Sequence, residues 1–542
     1  MSPRASAPTV TSRRRRARSS WPCRSSAPPE RRRNMQHGHF RRFAPVDVLS
    51  ERELSAIHQG ALEILETGGA NIRHAKTQAL LEDAGCKVDR EAGQVRIPPA
   101  LAEECLRSVP SSYQIVARDR AMDVRIGGDR VHFLQGMGMR YVDTETWELR
   151  PATLREHAEV QIVGDALPNV HVMDALFAFT DLKDVPGIMQ QLEGLANGFR
   201  YSVKPQHYGY LKDSDQFAIR MAQGLGVTLD AEIDVAPPVA FGDEALEAIW
   251  RFAELGWCVW ASPGGRAGAT APGPLAGVQV QSWAGTMAFI VITQLINRGT
   301  PVGLHPCDGV VHAKWAHGLP AAPETWYTRA MTNQLCRRYG IPVTTASGFC
   351  GHAKMFDYQA GMEKALGILT SVMTGSHLHT LQGSFAGELG YSNVLQVLDE
   401  EIAGNVGRYL LGTPIDDETL AVDESLEVGT APASFMGRAL TRQYWVKDRY
   451  EPLVADWGTH VDWVRGGKKD IVTRAEEKVD AILAEHRATP LTAEQSAHVE
   501  DVLAEAREYY RATGLLSEEE WAPYMRALEE ADLPAPLEAA TD

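Results

Sequence analysis

Cysteine is scarce in this chain and badly placed for cross-linking: seven in 542 residues, at positions 23, 86, 105, 258, 307, 336 and 350, with no C-x-x-C pair. An odd, irregular set excludes a disulfide framework and a structural zinc site of clustered thiols, and it suits a reducing cytoplasm. Long apolar runs are missing too. No uninterrupted stretch approaches the ~20 residues of a membrane-crossing helix, and the N-terminal region lacks the apolar h-region of a secretory signal. There is no dinucleotide fingerprint: the turn at Gly136 and Gly138 in QGMGMR lacks a third glycine, a helix directly after it and a downstream acid on a second strand. No glycine-rich strand–turn–helix of the kind that binds S-adenosylmethionine stands out either. SPGG at 262–265 has the composition of a tight turn, with a phosphate nest as the alternative.

Positive charge is short over most of the chain. The net charge is −16, but residues 1–42 carry twelve arginines against one acid, Glu30, and stand at +11, which leaves the remainder at −27. So acidic a body is a poor surface for nucleic acid. The basic arm, rich in Arg, Ser and Pro without apolar periodicity, is expected to be disordered. It either binds an acidic partner or is not translated, with Met35 as the start.

What the chain does contain is regular alternation. Four capping boxes mark helix starts, Ser50 with Glu53, Thr153 with Glu156, Thr492 with Gln495 and Ser517 with Glu520. Residues 43–150 mix short helices and strands and are expected to close one end of a barrel. After them strands are expected at 170–176, 206–210, 238–240, 258–262, 300–307, 341–348 and 376–384, separated by helices at 188–198, 214–224, 244–255, 278–298, 324–339 and 359–374. The expected fold class is α/β: a (β/α)8 TIM-type barrel over 151–450, preceded by the N-terminal α+β section and followed by a C-terminal helical tail over 451–542. Seven strands are clear and the eighth is sought around 394–398; a doubly wound sheet is the alternative.

Residues 304–388 are the stretch the rest is organised around. Ligands gather at the carboxyl ends of parallel strands, and there the sequence places His305, Asp308, Phe349, His352, Gln382 and Phe385, with Cys307 and Glu388 beside them and Trp315, Trp326, Tyr327 and Asp357 close by. These are the candidate substrate-binding residues, although aromatic rings in a barrel pack core as readily as they line a site. No catalytic residue is assigned. Six histidines fall in the same stretch, and His377 and His379, at alternate positions of one strand, put both rings on one face as half of a zinc site would. No third ligand stands at a suitable spacing, and no metal is expected.

SGFCGHAKMFDYQAGMEKAL, at 347–366, resembles the GG-x-x-x-x-AK-x-x-D-x-QAG-x-EKAL stretch of the trimethylamine methyltransferase family. LSERELSAIHQGALEI at 49–64, FLQGMGMRYVDTETWELRPAT at 133–153, LDEEI at 398–402 and GGKKD at 466–470 resemble further landmarks in the same order, so the likeness spans 46–485. The resemblance implies a barrel enzyme that passes a methyl group from a small methylated amine to the cobalt of a separate, cognate corrinoid protein. It implies no cofactor or metal held by the chain itself, and homo-oligomer formation is open. Members that act on trimethylamine carry pyrrolysine, whereas this sequence has only the twenty standard residues. That departure shifts the expected substrate to a quaternary amine such as glycine betaine, proline betaine or carnitine. Aromatic faces and a distant carboxylate hold such a cation. It leaves as a neutral tertiary amine, so no general acid is required and the enzyme's task is orientation and exclusion of water. Two other classes fit the residues: a non-catalytic quaternary-amine binder, and a barrel lyase or hydrolase using His352 with Asp308 or Asp357 as acid–base pair.

Overall fold

Helix starts follow the capping chemistry. Ser50, Thr153, Thr492 and Ser517 each accept a hydrogen bond from the backbone N–H three residues on, and the side chains of Glu53, Glu156, Gln495 and Glu520 accept from the cap's own N–H. Each box satisfies two amides that the first turn would otherwise leave open. The helices Glu51–Glu63, Leu154–Ala166, Ala493–Ala512 and Glu518–Glu529 begin there.

The computed structural model describes residues 38–174, 179–345 and 350–535. It is a mixed α/β structure. Parallel ladders join Gln206–Tyr208 to Leu229–Val235, that strand to Val259–Pro263, and Val259–Pro263 to Val302–Leu304. A second parallel run joins Thr344–Thr345 to Leu378–Gln382 and the latter to Arg130–Gln135. Single parallel bridges extend both runs, Leu304 to Val343, Leu134 to Val172 and Met173 to Gln206. The ladders on their own form separate four-stranded sheets. Helices Gly187–Tyr201, Ser214–Leu225, Asp243–Glu254, Leu275–Ile296, Pro323–Tyr339 and Tyr358–Thr374 intervene between successive parallel segments.

Three strand expectations need correcting. Residues 394–398 lie inside the helix Asn393–Leu411, which Ser392 caps, so the eighth strand is not there. Arg130–Gln135, placed by the sequence in the section preceding the alternation, is paired in parallel with Leu378–Gln382 instead. The segment at 238–240 shrinks to Ala240–Phe241, which pairs with Ala70–Ile72, while the strand of that region is Leu229–Val235. Its sequence, LDAEIDV, carries three acids, and these erase the apolar run by which a strand buried on both faces is recognised. The expected strands at 170–176 and 341–348 fall partly outside the described residues.

Leu275–Ile296 is the central helix of the packing, with Trp283, Met287, Phe289, Ile290, Val291 and Ile292 all buried. Among the described residues it is the one helix long and apolar enough, by length and composition, to cross a membrane, and 78% of its apolar window is buried within the protein. Its two threonine hydroxyls are satisfied locally, Thr286 donating to Ser282 O and Thr293 to Phe289 O, both at 2.9 Å. Such bonds let polar residues sit in the middle of an apolar core.

Candidate active site at the strand ends

Alternate residues of a strand share a face, so Leu229–Val235 presents Asp230, Glu232 and Asp234 together. Glu232 is in register with Trp260, and Trp260 with Gly303. A Cβ on Gly303 would stand 2.7 Å from the Trp260 ring, which is why the neighbouring strand carries glycine there. Beyond Leu304 the chain stays extended: His305 N donates to Ala261 O at 2.9 Å and Cys307 N to Pro263 O at 3.0 Å. His305 and Cys307 therefore project to the same side.

These strands build a buried charge network. His305 Nδ1 lies 2.7 Å from Glu232 Oε2, His207 Nδ1 lies 2.9 Å from Asp230 Oδ1, and His207 Nε2 stands 3.7 Å from Glu232 Oε2. The His207 ring stacks on Trp260 at 4.1 Å, and the indole N–H of Trp260 donates to the Tyr113 hydroxyl at 2.8 Å. Burial opposes charge on His207, His305 and Glu232, and their partners override it. Asp230 pushes the His207 imidazole up to about 10, and Glu232 holds His305 well above its ordinary value. The two imidazoles in turn hold the Glu232 carboxyl well below the usual range.

Around this pair of imidazoles stand further acids, whose nearby cations, Arg329 by Asp308 and Glu388 and His305 by Glu388 and Asp234, do not outweigh burial. Asp308 is fully buried; Gln279 Nε2 donates to its Oδ2 at 2.8 Å, while Oδ1 has no hydrogen-bond partner among the described residues. Burial raises its carboxyl. Glu388, half-buried with φ 74°, is raised by burial as well. Asp234, at the solvent end of its strand, is raised to about 6 by desolvation and by the neighbouring Glu232 charge. The strand ends thus form a floor on which carboxyl groups outnumber their cationic partners.

Of the residues singled out from sequence, the structure sets His305 and Asp308 in this floor. Gln382 is fully buried in the wall and donates to Asn169 O at 3.4 Å. Phe385 is 2% exposed and packs edge-on against Phe356, in a core cluster with Val142 and Leu395. Trp326 is half-buried on the Pro323–Tyr339 helix, and Tyr327, on the outer side of that helix, reaches Val48 O at 3.4 Å. Trp315 is 61% exposed; its ring stacks on His312 at 4.2 Å and lies 6.2 Å from His317, which is 5.6 Å from His352. Four rings therefore form a row at the surface rather than an enclosed cage. Asp357 is exposed and caps the Tyr358–Thr374 helix, accepting from the N–H groups of Gln359 and Ala360. Phe349 lies outside the described residues. Among the described residues no hydrogen bond or ion pair joins His352 to Asp308 or Asp357, so the acid–base pair of the lyase reading is not assembled.

Asp230 and Glu232 escaped the sequence reading because their strand did, and His207, Trp260 and Tyr113, on strands of their own, escaped it because their partners were missing from it. The available signal was the alternation of acids in LDAEIDV: three carboxylates on one face of a strand have no structural use in a core. The glycines of QGMGMR are explained by packing, since a Cβ on Gly136 would stand 2.5 Å from Gln382 O and one on Gly138 2.6 Å from the Tyr391 Cβ. His377 and His379 do not converge on a shared site: His377 Nδ1 accepts from Val343 N at 3.1 Å, and His379 Nε2 pairs with the Ser376 hydroxyl at 3.3 Å. Among the described residues one trio of metal-capable side chains has its donor atoms within 4.8 Å of one another, Glu232, His305 and Cys307.

A family model described as trimethylamine methyltransferase (MTTB) matches residues 12–509. The trimethylamine methyltransferase of Desulfitobacterium hafniense (strain DSM 10664 / DCB-2) is 27% identical over 471 residues, covering 85% of this chain and 94% of that protein. The glycine betaine methyltransferase of Desulfitobacterium hafniense (strain Y51) is 26% identical over 475 residues, covering 85% of this chain and 97% of that one. Among solved structures, the monomethylamine methyltransferase of Methanosarcina barkeri aligns with a TM-score of 0.44 at 12% identity, over 85% of this chain and 92% of that one.

Proposed function

Because the chain belongs to the trimethylamine methyltransferase (MTTB) family, we propose that it moves a methyl group from a methylated amine, a quaternary ammonium compound of the glycine betaine kind by preference, to the cobalt of a corrinoid carried by a separate protein. The acidic floor is the observation that carries this reading. Burial penalises an ionised carboxyl, and an adjacent cation removes the penalty. Asp308 and Glu388, each with its carboxyl raised by burial, therefore gain most from a permanently charged ligand that brings no proton. A quaternary ammonium is such a ligand. Trp260 and Tyr113 lie in the core beneath the floor, and the surface row of His312, Trp315, His317 and His352 is the face offered to the corrinoid carrier. The departing amine is neutral, so the chain's part is to bind, orient and keep water out.

The same reading makes the parallel segments a (β/α)8 barrel. The ladders and single bridges can be followed from Arg130–Gln135 through Val172 and Met173, Gln206–Tyr208, Leu229–Val235, Val259–Pro263, Val302–Leu304, Val343 with Thr344–Thr345, and Leu378–Gln382 back to Arg130–Gln135. Eight parallel neighbours in a cycle, with His305, Cys307 and Asp308 just past the carboxyl end of Val302–Leu304, support that architecture. The cytoplasm is the compartment that suits the six described thiols, all of them free.

The test mixes the purified chain with a reduced corrinoid protein proven active with another methyltransferase and a panel of methylated amines, and follows the corrinoid absorbance. Methylation of the corrinoid with one quaternary amine is the expected result. No absorbance change with any amine, together with tight amine binding, would replace the reading by a non-catalytic binder.

A further inference from the structure

We propose that Glu232, His305 and Cys307 form a three-ligand site for a zinc-type divalent cation at the strand ends. One donor atom from each lies within 4.8 Å of the other two. The Glu232 and His305 side chains are 10% and 1% exposed, and Cys307 is half-buried. His305 and Cys307 project from alternate positions of one extended segment, and Glu232 reaches them from the strand next but one, so the ligands are fixed by backbone on separate elements. A second observation points the same way. With its Nδ1 engaged by Glu232, His305 leaves Nε2 buried and without a hydrogen-bond partner, a vacant coordinating atom in a closed site.

The donor set selects the ion. Thiolate with imidazole and one carboxylate suits zinc and its neighbours, whereas magnesium and calcium take oxygen ligands alone. Three protein ligands leave one tetrahedral position open for water or a substrate oxygen. The outer contacts are also in place: the Ser262 hydroxyl lies 3.3 Å from Cys307 Sγ, and His207 stands 3.7 Å from the Glu232 carboxylate. Such groups orient ligands and tune their basicity. This site departs from the expectation, drawn from the family resemblance, that the chain holds no metal. It does not depend on the methyl-transfer reading, because metal retention is measured without turnover.

The experiment uses the full chain, stripped with a chelator, dialysed against zinc and freed of loose metal. Bound zinc is then measured by atomic spectrometry, and a parallel cobalt(II) sample is examined for a thiolate-to-cobalt charge-transfer band. One zinc per chain and a clear thiolate band are expected. Cys307→Ser should lose the band and lower zinc affinity at least tenfold, His305→Ala should lower affinity similarly, and Cys105→Ser, a thiol buried elsewhere, should change neither. Wild-type protein that returns from dialysis without zinc, or a cobalt(II) form without a thiolate band, overturns the proposal even if the variants fail to fold. So does zinc affinity unchanged by Cys307→Ser.

Discussion

Acid should cost this protein stability through three histidines that the fold keeps neutral. His132, His377 and His379 are buried at 0%, 7% and 0% exposure, and burial pushes their imidazoles down to about 3, 4 and 3. A group whose folded value is depressed below its unfolded value of 6.5 favours the fold above pH 6.5, and that stability is lost as pH falls toward the folded value. At pH 5 the unfolded chain holds nearly one more proton per histidine, a cost of about 2 kcal/mol each and about 6 kcal/mol for the three. That is a large part of a typical net stability of ~5–15 kcal/mol. With an unfolding entropy of about 2.1 cal/mol/K per residue over ~500 residues, these three groups by themselves lower the melting temperature by about 6 °C between pH 7 and pH 5, and the raised carboxyls of Asp399, Asp234 and Glu400, which gain stability over the same range, offset part of that fall. Circular dichroism melts at steps of pH measure this, and His379→Asn isolates one contribution by shallowing the slope by about a third. The same slope of melting temperature against pH in His379→Asn as in the wild type would refute the reasoning.

Lys364 and Asp399, both 1% exposed, form an ion pair at 2.7 Å; Lys364 also donates to Leu381 O and Asp399 accepts from Gly383 N. Lys364→Met strands the acid and should cost about 3–5 kcal/mol by calorimetry, and Lys364→Met with Asp399→Asn should cost less than the single change. Asp399, raised to about 6 by burial, has the opposite sign to the histidines: its contribution is complete below the unfolded value of 3.8 and lost as pH rises through about 6, so the Lys364→Met penalty should shrink on acidification. Asp357→Ala removes a helix cap, so it should lower stability by about 1 kcal/mol in denaturant titration and leave amine affinity unchanged. Trp315→Ala, on an exposed ring, should change stability by no more than about 0.5 kcal/mol while raising the corrinoid-protein concentration needed for half-maximal transfer; an unchanged requirement removes Trp315 from the docking face.

Local chemistry was legible in the sequence because it is written in neighbouring residues. The four capping boxes needed only residues three apart, and Tyr358–Thr374 and Pro323–Tyr339 announced themselves by helical period. His305 and Asp308 were found because they follow an apolar strand, Val302–Leu304, that reads as one. Burial and partnership were decided by tertiary structure alone. Asp357 and Asp308 look alike in sequence, yet one caps a helix in solvent and the other is sealed beside Gln279. Trp315 and Phe385 were equal candidates until packing left one at the surface and the other in a core. Glu232 and His207 were invisible because their function rests on strands 23 or more residues apart being brought side by side by parallel pairing. A carboxylate's charge state and partners depend on what surrounds it in three dimensions, and no pattern along the chain encodes that directly.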